Sequence, residues 1–203
     1  MNYSFKDFYR DAMDVVLLNL IFLGVILLGA FITFGAAFKA LFYVSFRIID
    51  PKKPNYVFKS FIKSFKEGFL LSTINWLIAA TIGFLLFIIF KYSIDNNQTI
   101  LLISCFVTFY LLVIYLLYLY PMMAIFKTES TKQLLKNTFI LAGCNFFTSL
   151  KLMLSLVFVI GLFLLFHGTI LFSIGLFGIL IVFHLKKVFM PYLKQYEFDD
   201  SED

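Results

Sequence analysis

Long stretches without a charged side chain constrain the fold of this sequence more than any other feature. Residues 15–38, 68–90 and 96–126 contain no Asp, Glu, Lys or Arg, and residues 152–183 contain only His167 as a titratable base. A membrane-spanning helix needs about 20 predominantly apolar residues in a row, so each stretch is long enough to cross a bilayer. We therefore predict an all-α fold, a polytopic transmembrane helical bundle.

The composition excludes the common soluble classes. Of the 203 residues, 62% are hydrophobic and only 14% are charged, whereas a soluble domain has about 25% charged residues. A globule of this size buries only about 70% of its extended surface, so it cannot hide such an excess of apolar side chains. The net charge of +5 is better explained by orientation in a membrane than by nucleic acid, and no nucleic-acid partner is predicted.

The lengths of the apolar stretches indicate about five spans. The last stretch is too long for one helix across a hydrocarbon core of about 30 Å, and His167-Gly168 is the predicted turn that divides it. The predicted spans are 15–38, 69–90, 100–120, 147–166 and 169–187. They form one integral membrane domain, 1–196, which is followed by an acidic C-terminal tail, 197–203.

The distribution of basic residues predicts the orientation. Most Lys and Arg residues fall in three segments, 39–67, 127–151 and 186–194, which five spans would place on one side of the membrane. Basic loops are retained on the cytoplasmic side. We expect a multi-pass protein of the bacterial plasma membrane, with the C-terminus in the cytoplasm and the N-terminus outside.

Two connections between spans show the pattern of amphipathic helices. In the predicted helix 56–67, aromatic side chains recur at helical spacing and lysines occupy the rest of the wheel; these residues are Phe58, Phe61, Phe65, Lys59, Lys63 and Lys66. The second predicted helix, 131–145, carries Lys132 and Lys136 on its polar side. We expect both helices at the cytoplasmic interface, with the aromatic face in the acyl chains and the lysines at anionic headgroups or at a partner protein.

Glycines recur in the first and last spans, and small residues let helices approach closely. The predicted helix-packing positions are Gly24, Gly29, Gly35, Gly175 and Gly178. Either they pack helices within one chain, or they form a docking face for another membrane protein.

The predicted spans offer little chemistry. No Asp, Glu, Lys or Arg falls in the hydrocarbon part of any predicted span, and neither HExxH nor GxSxG occurs in the sequence. Charges inside spans usually mark ion pathways or proton relays. We therefore predict a protein that is not an enzyme, with no catalytic residue, metal or cofactor. Uncharged polar residues such as Asn19, Asn75 and Thr108 either bond neighbouring helices or line a path for a solute.

Several short segments resemble the YesL family of small bacterial membrane proteins. They are Asn19-Leu20-Ile21-Phe22, Ile32-Thr33-Phe34-Gly35-Ala36-Ala37, Ala40-Leu41-Phe42-Tyr43-Val44, the lysine- and phenylalanine-rich segment 58–66 before Trp76, Tyr120-Pro121-Met122 and Lys132-Gln133-Leu134-Leu135-Lys136-Asn137. Phe22 stands where the family usually has tryptophan, and Ala36 stands where proline is frequent.

The resemblance implies a polytopic protein without assigned chemistry, whose relatives are commonly encoded beside carbohydrate import systems of the ATP-binding-cassette (ABC) type. The leading hypothesis is accordingly a non-enzymatic accessory protein that contacts the lipid bilayer and the permease subunits of an oligosaccharide ABC transporter. Two alternatives stay open: a channel or facilitator for a small neutral solute, and a membrane sensor or regulator.

Overall fold

The computed structural model describes residues 5–50, 56–126 and 131–196, and this part of the chain is helical with short connections. Its α-helices are α1 (Phe5–Gly29), α2 (Phe34–Ile49), α3 (Val57–Lys66), α4 (Phe69–Asp95), α5 (Thr99–Ile125), α6 (Thr131–Cys144), α7 (Phe146–Leu165) and α8 (Ser173–Tyr196). Lys52, Lys53, Lys127 and the predicted acidic tail 197–203 lie outside the described residues.

The predicted first span, 15–38, is not one helix. Helix α1 ends at Gly29, a short 3-10 turn covers Ala30–Thr33, and α2 then begins at Phe34. The chain reverses there, because the Phe22 ring of α1 lies 5.3 Å from the Phe38 ring of α2. Glycine weakens a helix, which agrees with the end of α1 at Gly29. The turn that follows contains no charged residue, so the composition of the sequence did not reveal the break.

The fold is a series of three helical hairpins joined by two short helices. Hairpin α1–α2 is followed by α3, hairpin α4–α5 by α6, and hairpin α7–α8 closes the chain. The last reversal occupies residues 166–172, where the turn at His167-Gly168 was predicted. Six helices of the described residues are long and apolar enough to cross a membrane, whereas about five were predicted. The additional helix is α2.

Helix α2 is the centre of the bundle. Of the residues in its candidate span, 56% are buried, compared with 11% for α4 and 17% for α5. It packs against α1, α3, α4, α5 and α8. Small side chains at Gly35, Ala36, Ala37 and Ala40 let these helices approach. Leu41 and Phe42, both fully buried, fill the space between them.

The short helices lie at one end of the bundle, which we call the lysine end. Gly35 of α2 abuts Ser72 of α4, and Lys39 of α2 reaches Glu67, so α2 and α4 are antiparallel and α3 connects them at this end. The Phe90 and Phe106 rings pack 5.5 Å apart near the far turn of hairpin α4–α5. Helix α5 therefore returns to the lysine end, where α6 begins.

Candidate functional site

Helix α3 presents three distinct stripes of side chains. Val57, Phe61 and Ser64 are buried. The next residue after each of these, Phe58, Ile62 and Phe65, belongs to an apolar stripe that is exposed or half-buried. The third stripe consists of the residues directly after Phe58, Ile62 and Phe65. These residues are Lys59, Lys63 and Lys66, and all three are exposed. Positions separated by three or four residues share one face of a helix, so each stripe runs along the whole of α3.

Helix α6 repeats the buried face and the apolar stripe in the same order. Leu134, Thr138 and Leu141 are buried. The adjacent stripe consists of Leu135, Phe139 and Ala142, of which Phe139 is 66% exposed. Lys136 follows Leu135, and Lys132 lies one turn before it; both lysines are exposed. Each short helix therefore has a buried face and an outward apolar stripe. Lysines lie beside this stripe along the whole of α3 but only in the first half of α6, since Ile140 and Gly143 follow Phe139 and Ala142.

The predicted aromatic face of α3 is divided in the structure. Phe58 is 63% exposed, but Phe61 is fully buried and belongs to the core that includes α2. The expectation that both rings enter the acyl chains is therefore wrong for Phe61. A helical wheel groups the two residues because they are three positions apart, and the wheel does not show that a neighbouring helix covers one edge of the face.

Lys39 is the buried cation of the lysine end. It is 8% exposed and lies within α2 rather than in a loop. Its Nζ donates to the carbonyl oxygens of Ser64, at 3.3 Å, and of Glu67. The last carbonyl groups of a helix have no partner within the helix, and a cation there also favours the helix dipole. Lys39 thus caps the C-terminus of α3 from α2.

The turn from α3 into α4 depends on Gly68. Its φ is +68°, in the left-handed region that glycine adopts without penalty. A Cβ at this position would also lie 3.2 Å from Nζ of Lys39. The glycine therefore allows both the tight turn and the approach of the ammonium group.

Asn19 caps a second helix in a similar way. It is fully buried on α1, and its Nδ2 donates to the carbonyl oxygen of Ile170 at 2.9 Å. Its Oδ1 accepts from the backbone N–H groups of Ile174, at 2.9 Å, and Gly175, at 3.2 Å. These N–H groups lie in the first turn of α8, where donors lack partners within the helix. Asn19 therefore fixes the start of α8 against α1.

The five predicted packing glycines behave differently from one another. A Cβ on Gly35 would overlap the backbone oxygen of Ser72, and one on Gly175 or Gly178 would lie 2.5 Å from atoms of α1 or α2. These three glycines therefore lie at close helix contacts. Gly29 faces Thr33 within its own turn, and Gly24 has no neighbour within 4 Å of a Cβ. Gly24 therefore makes no close contact within the described chain, and the alternative prediction for it, a docking face for another membrane protein, stays a prediction.

Most uncharged polar groups of the spans bond to their own helix. Asn75, Thr81 and Thr108 each donate to the carbonyl oxygen four residues earlier, at 2.8 Å. Ser149 of α7 bonds the Tyr118 hydroxyl of α5 at 3.2 Å, which joins two helices. Among the described residues no group of three or more His, Cys, Asp or Glu could hold a metal ion.

Two residues that matter for the architecture were not identified by sequence reasoning. Lys39 was assigned to a basic loop, and Trp76 was used only as a marker of the resemblance. The Trp76 ring lies 4.5 Å from the Phe34 ring, and its Nε1 donates to the Phe31 carbonyl oxygen at 2.9 Å. One signal for Lys39 was available, because it is embedded among small residues at Gly35, Ala36, Ala37 and Ala40, which is typical of a packed helix.

A family model matches part of the chain. Residues 15–90 match the family described as "Protein of unknown function, DUF624". The YesL family contains this domain, so the resemblance predicted from the sequence is confirmed. The matched residues include most of α1, all of α2 and α3, and most of α4. No curated protein and no solved structure matches the chain.

Proposed function

From the premise that residues 15–90 are a DUF624 region in a multi-pass membrane protein, we propose that the chain is a non-enzymatic accessory protein of a carbohydrate ABC-type uptake system. It works by contact with the permease subunits in the bilayer, and no step of chemistry takes place in it. The carbohydrate assignment and the association with a transporter both derive from the family resemblance, and the packed centre of the bundle supports a scaffold in preference to a solute path.

The observation behind the accessory role is the tightly packed apolar centre. Leu41, Phe42, Tyr118, Leu152 and Ile181 are fully buried around α2. A solute path needs polar groups along one continuous wall, but Thr81 and Thr108 are bonded to their own backbones and are exposed on the outside of hairpin α4–α5. The centre of the bundle therefore favours a scaffold over a facilitator.

Site-specific photo-cross-linking in native membranes tests this role. A photoreactive residue at Phe84 or Phe106, on the exposed side of hairpin α4–α5, and at Phe139 on α6 samples two outer surfaces. The matched control is Leu152, which is fully buried. We expect cross-links to a permease or ATPase subunit from at least one outer position and none from Leu152. Recovery of the chain alone, together with flux of a neutral solute through liposomes that contain it, would refute the accessory role.

The hairpin architecture supports a different orientation from the one predicted. If α1 and α2 both cross the membrane, six crossings place both termini on one side, and we propose that this side is the cytoplasm of a bacterial cell. Among the basic residues of the described segments, Lys91 alone lies near the turn of a hairpin, away from the lysine end. This asymmetry agrees with the retention of basic segments in the cytoplasm.

Cysteine accessibility measures the orientation. After replacement of Cys105 and Cys144, which are free thiols, single cysteines are introduced at Tyr9, Asn97 and Thr131. All three side chains are exposed. We expect a membrane-impermeant maleimide to label intact cells only at position 97. Labelling at position 9 in intact cells would instead support an external N-terminus.

A further inference from the structure

The two short helices share a pattern that extends into the spanning helix after each of them. In α3 the apolar stripe continues to Phe69, the first residue of α4, and the Phe65 and Phe69 rings lie 5.4 Å apart. In α6 the corresponding stripe continues to Phe146, the first residue of α7, which is 64% exposed. The outward stripe of α3 therefore meets the first residue of a long apolar helix, and in α6 the same sequence spacing leads to the first residue of the next one.

The lysines lie beside this stripe and not opposite it. Lys59, Lys63 and Lys66 each follow a stripe residue directly, as Lys136 follows Leu135. A helix in the membrane interface buries its apolar side to the depth of the acyl chains and keeps lysine ammonium groups near the headgroups. The long lysine stems can lie along apolar surface while the charge reaches water. The arrangement matches a layer of negative charge just outside the hydrocarbon.

We propose that α3 and α6 form paired binding surfaces for anionic phospholipid headgroups at the lysine end of the bundle. The ligand class is a phosphate-bearing anionic lipid. The ammonium group of the exposed Lys63 lies 4.0 Å from the carboxylate of Glu67, which is a long distance for an ion pair. Such an exposed pair is weak, so Lys63 stays available to a headgroup. Phe58 and Phe139 supply the apolar contact beside the charges.

The two surfaces are held in place by the rest of the fold. Phe61 fastens α3 to the core, and Lys39 caps its C-terminus from α2. On α6, the buried Thr138 hydroxyl donates to the Leu134 carbonyl oxygen at 2.9 Å and also contacts Sδ of Met122 on α5. Because both helices are already docked, binding requires no folding of a disordered segment, and the cost of ordering such a segment is avoided.

The experiment uses the full chain in nanodiscs that contain phosphatidylcholine and phosphatidylglycerol. The lipids that stay bound after mild release into detergent are counted by native mass spectrometry. One variant carries Lys59→Gln, Lys63→Gln and Lys66→Gln, a second carries Lys132→Gln and Lys136→Gln, and a third combines all five. The matched control is Lys91→Gln, because Lys91 is exposed but lies near the opposite end of α4.

We expect the wild-type chain and Lys91→Gln to retain phosphatidylglycerol in preference to phosphatidylcholine. Each removed lysine lowers this preference by about fivefold at low salt, and both partial variants lose part of it. The same five positions changed to arginine keep the preference, since the charge is retained.

A salt titration of the wild-type chain gives a test that is independent of folding in the variants. Raising the salt concentration from 0.1 M to 1 M shortens the screening length from about 10 Å to about 3 Å, so the preference for phosphatidylglycerol should fall strongly. The proposal is overturned if the preference for phosphatidylglycerol is insensitive to salt, or if it is unchanged in the variant in which all five lysines are replaced. It is also overturned if the variant with all five replacements keeps its lipids but loses a co-purifying acidic protein, because the lysines then bind that protein. These lipid readouts do not depend on the transporter partner.

Discussion

Replacement of Lys39 by methionine tests how the hairpins are held together. The side chain of methionine is similar in length and apolar, so it fills the site without donating a hydrogen bond. The carbonyl oxygens of Ser64 and Glu67 then lose their donor. An unsatisfied buried polar group costs about 1–3 kcal/mol. The bond to Ser64 is buried and the bond to Glu67 is part-buried, so the loss of both would cost at most about 6 kcal/mol.

One effect reduces this cost. The buried ammonium group of Lys39 pays a desolvation penalty in the native protein, and methionine removes that penalty. The two carbonyl groups belong to the backbone and stay in place when Lys39 is replaced. We therefore expect the loss of their hydrogen bonds to outweigh the desolvation penalty that methionine removes. We expect a net destabilisation of about 2–4 kcal/mol. For a chain of this size, about 2–4 °C of melting temperature corresponds to each kcal/mol, which gives a decrease of about 4–16 °C.

The fluorescence of Trp76 provides the assay, because the chain contains 1 tryptophan and that residue packs between hairpins at the ring of Phe34. Thermal unfolding is followed in detergent micelles for the wild-type chain, Lys39→Met and the control Lys63→Met. The side chain of Lys63 is 63% exposed, and loss of its weak pair should cost less than about 1 kcal/mol. Equal melting temperatures for the two variants would show that Lys39 does not stabilise the bundle by capping α3.

Three further tests, which use five substitutions in all, probe close contacts in the bundle by the same thermal assay. Gly35→Ala should destabilise by about 1–3 kcal/mol, because its Cβ overlaps Ser72, while Gly24→Ala should be neutral or slightly stabilising because nothing lies within 4 Å; the reverse order would contradict the contact between α2 and α4. Phe61→Ala should cost about 3–5 kcal/mol and Phe58→Ala much less, since only Phe61 is fully buried; equal losses would mean that α3 is not docked as described. Asn19→Leu should cost about 2–4 kcal/mol by leaving the Ile174 and Gly175 N–H groups without Asn19, and hydrogen exchange should rise first at the start of α8; unchanged protection there would refute the capping role.

The periodicity of the sequence was sufficient to predict the short helices and most of the long ones. Helix α3 occupies Val57–Lys66, where 56–67 was predicted, and α6 occupies Thr131–Cys144, where 131–145 was predicted. In both segments lysines alternate with apolar residues at helical spacing, and this pattern has one simple interpretation. The turn at His167-Gly168 was predicted for a different reason, because the apolar stretch exceeds the thickness of the bilayer.

The first hairpin was not predictable by the same reasoning, because its turn is as apolar as the helices. The backbone groups of this turn need hydrogen-bond partners wherever water does not reach them. One partner comes from elsewhere in the fold, since Trp76 of α4 donates to the Phe31 carbonyl oxygen. Another comes from the turn, where the Thr33 hydroxyl donates to the Val25 carbonyl oxygen of α1 at 3.4 Å. Such partners satisfy the turn without any polar or charged residue in the turn itself except Thr33, so hydropathy registers an unbroken span.

The turn at residues 30–33 also changes the interpretation of Lys39. When residues 15–38 are taken as one span, Lys39 follows the membrane as the first residue of a basic loop. When α2 is a separate helix, Lys39 lies inside it, and a buried cation within a membrane protein usually has a functional or structural partner. In this case its partners are the carbonyl groups at the end of α3, so the role supported by the contacts is structural.

The first hairpin holds the other elements of the bundle in position. Its helix α1 caps the start of α8 through Asn19, and its helix α2 caps the end of α3 through Lys39. Close contacts at Gly35 and Gly178 bring α2 against α4 and α8 respectively. Helix ends need caps wherever water does not supply them, so these contacts replace solvent inside the bundle. The family match covers α2 and α3 completely and includes Asn19, Lys39 and Gly35. The positions of α3, α4 and α8 therefore depend on the matched segment. One lysine-bearing surface, on α3, belongs to this segment, and the other, on α6, is attached to it through α5.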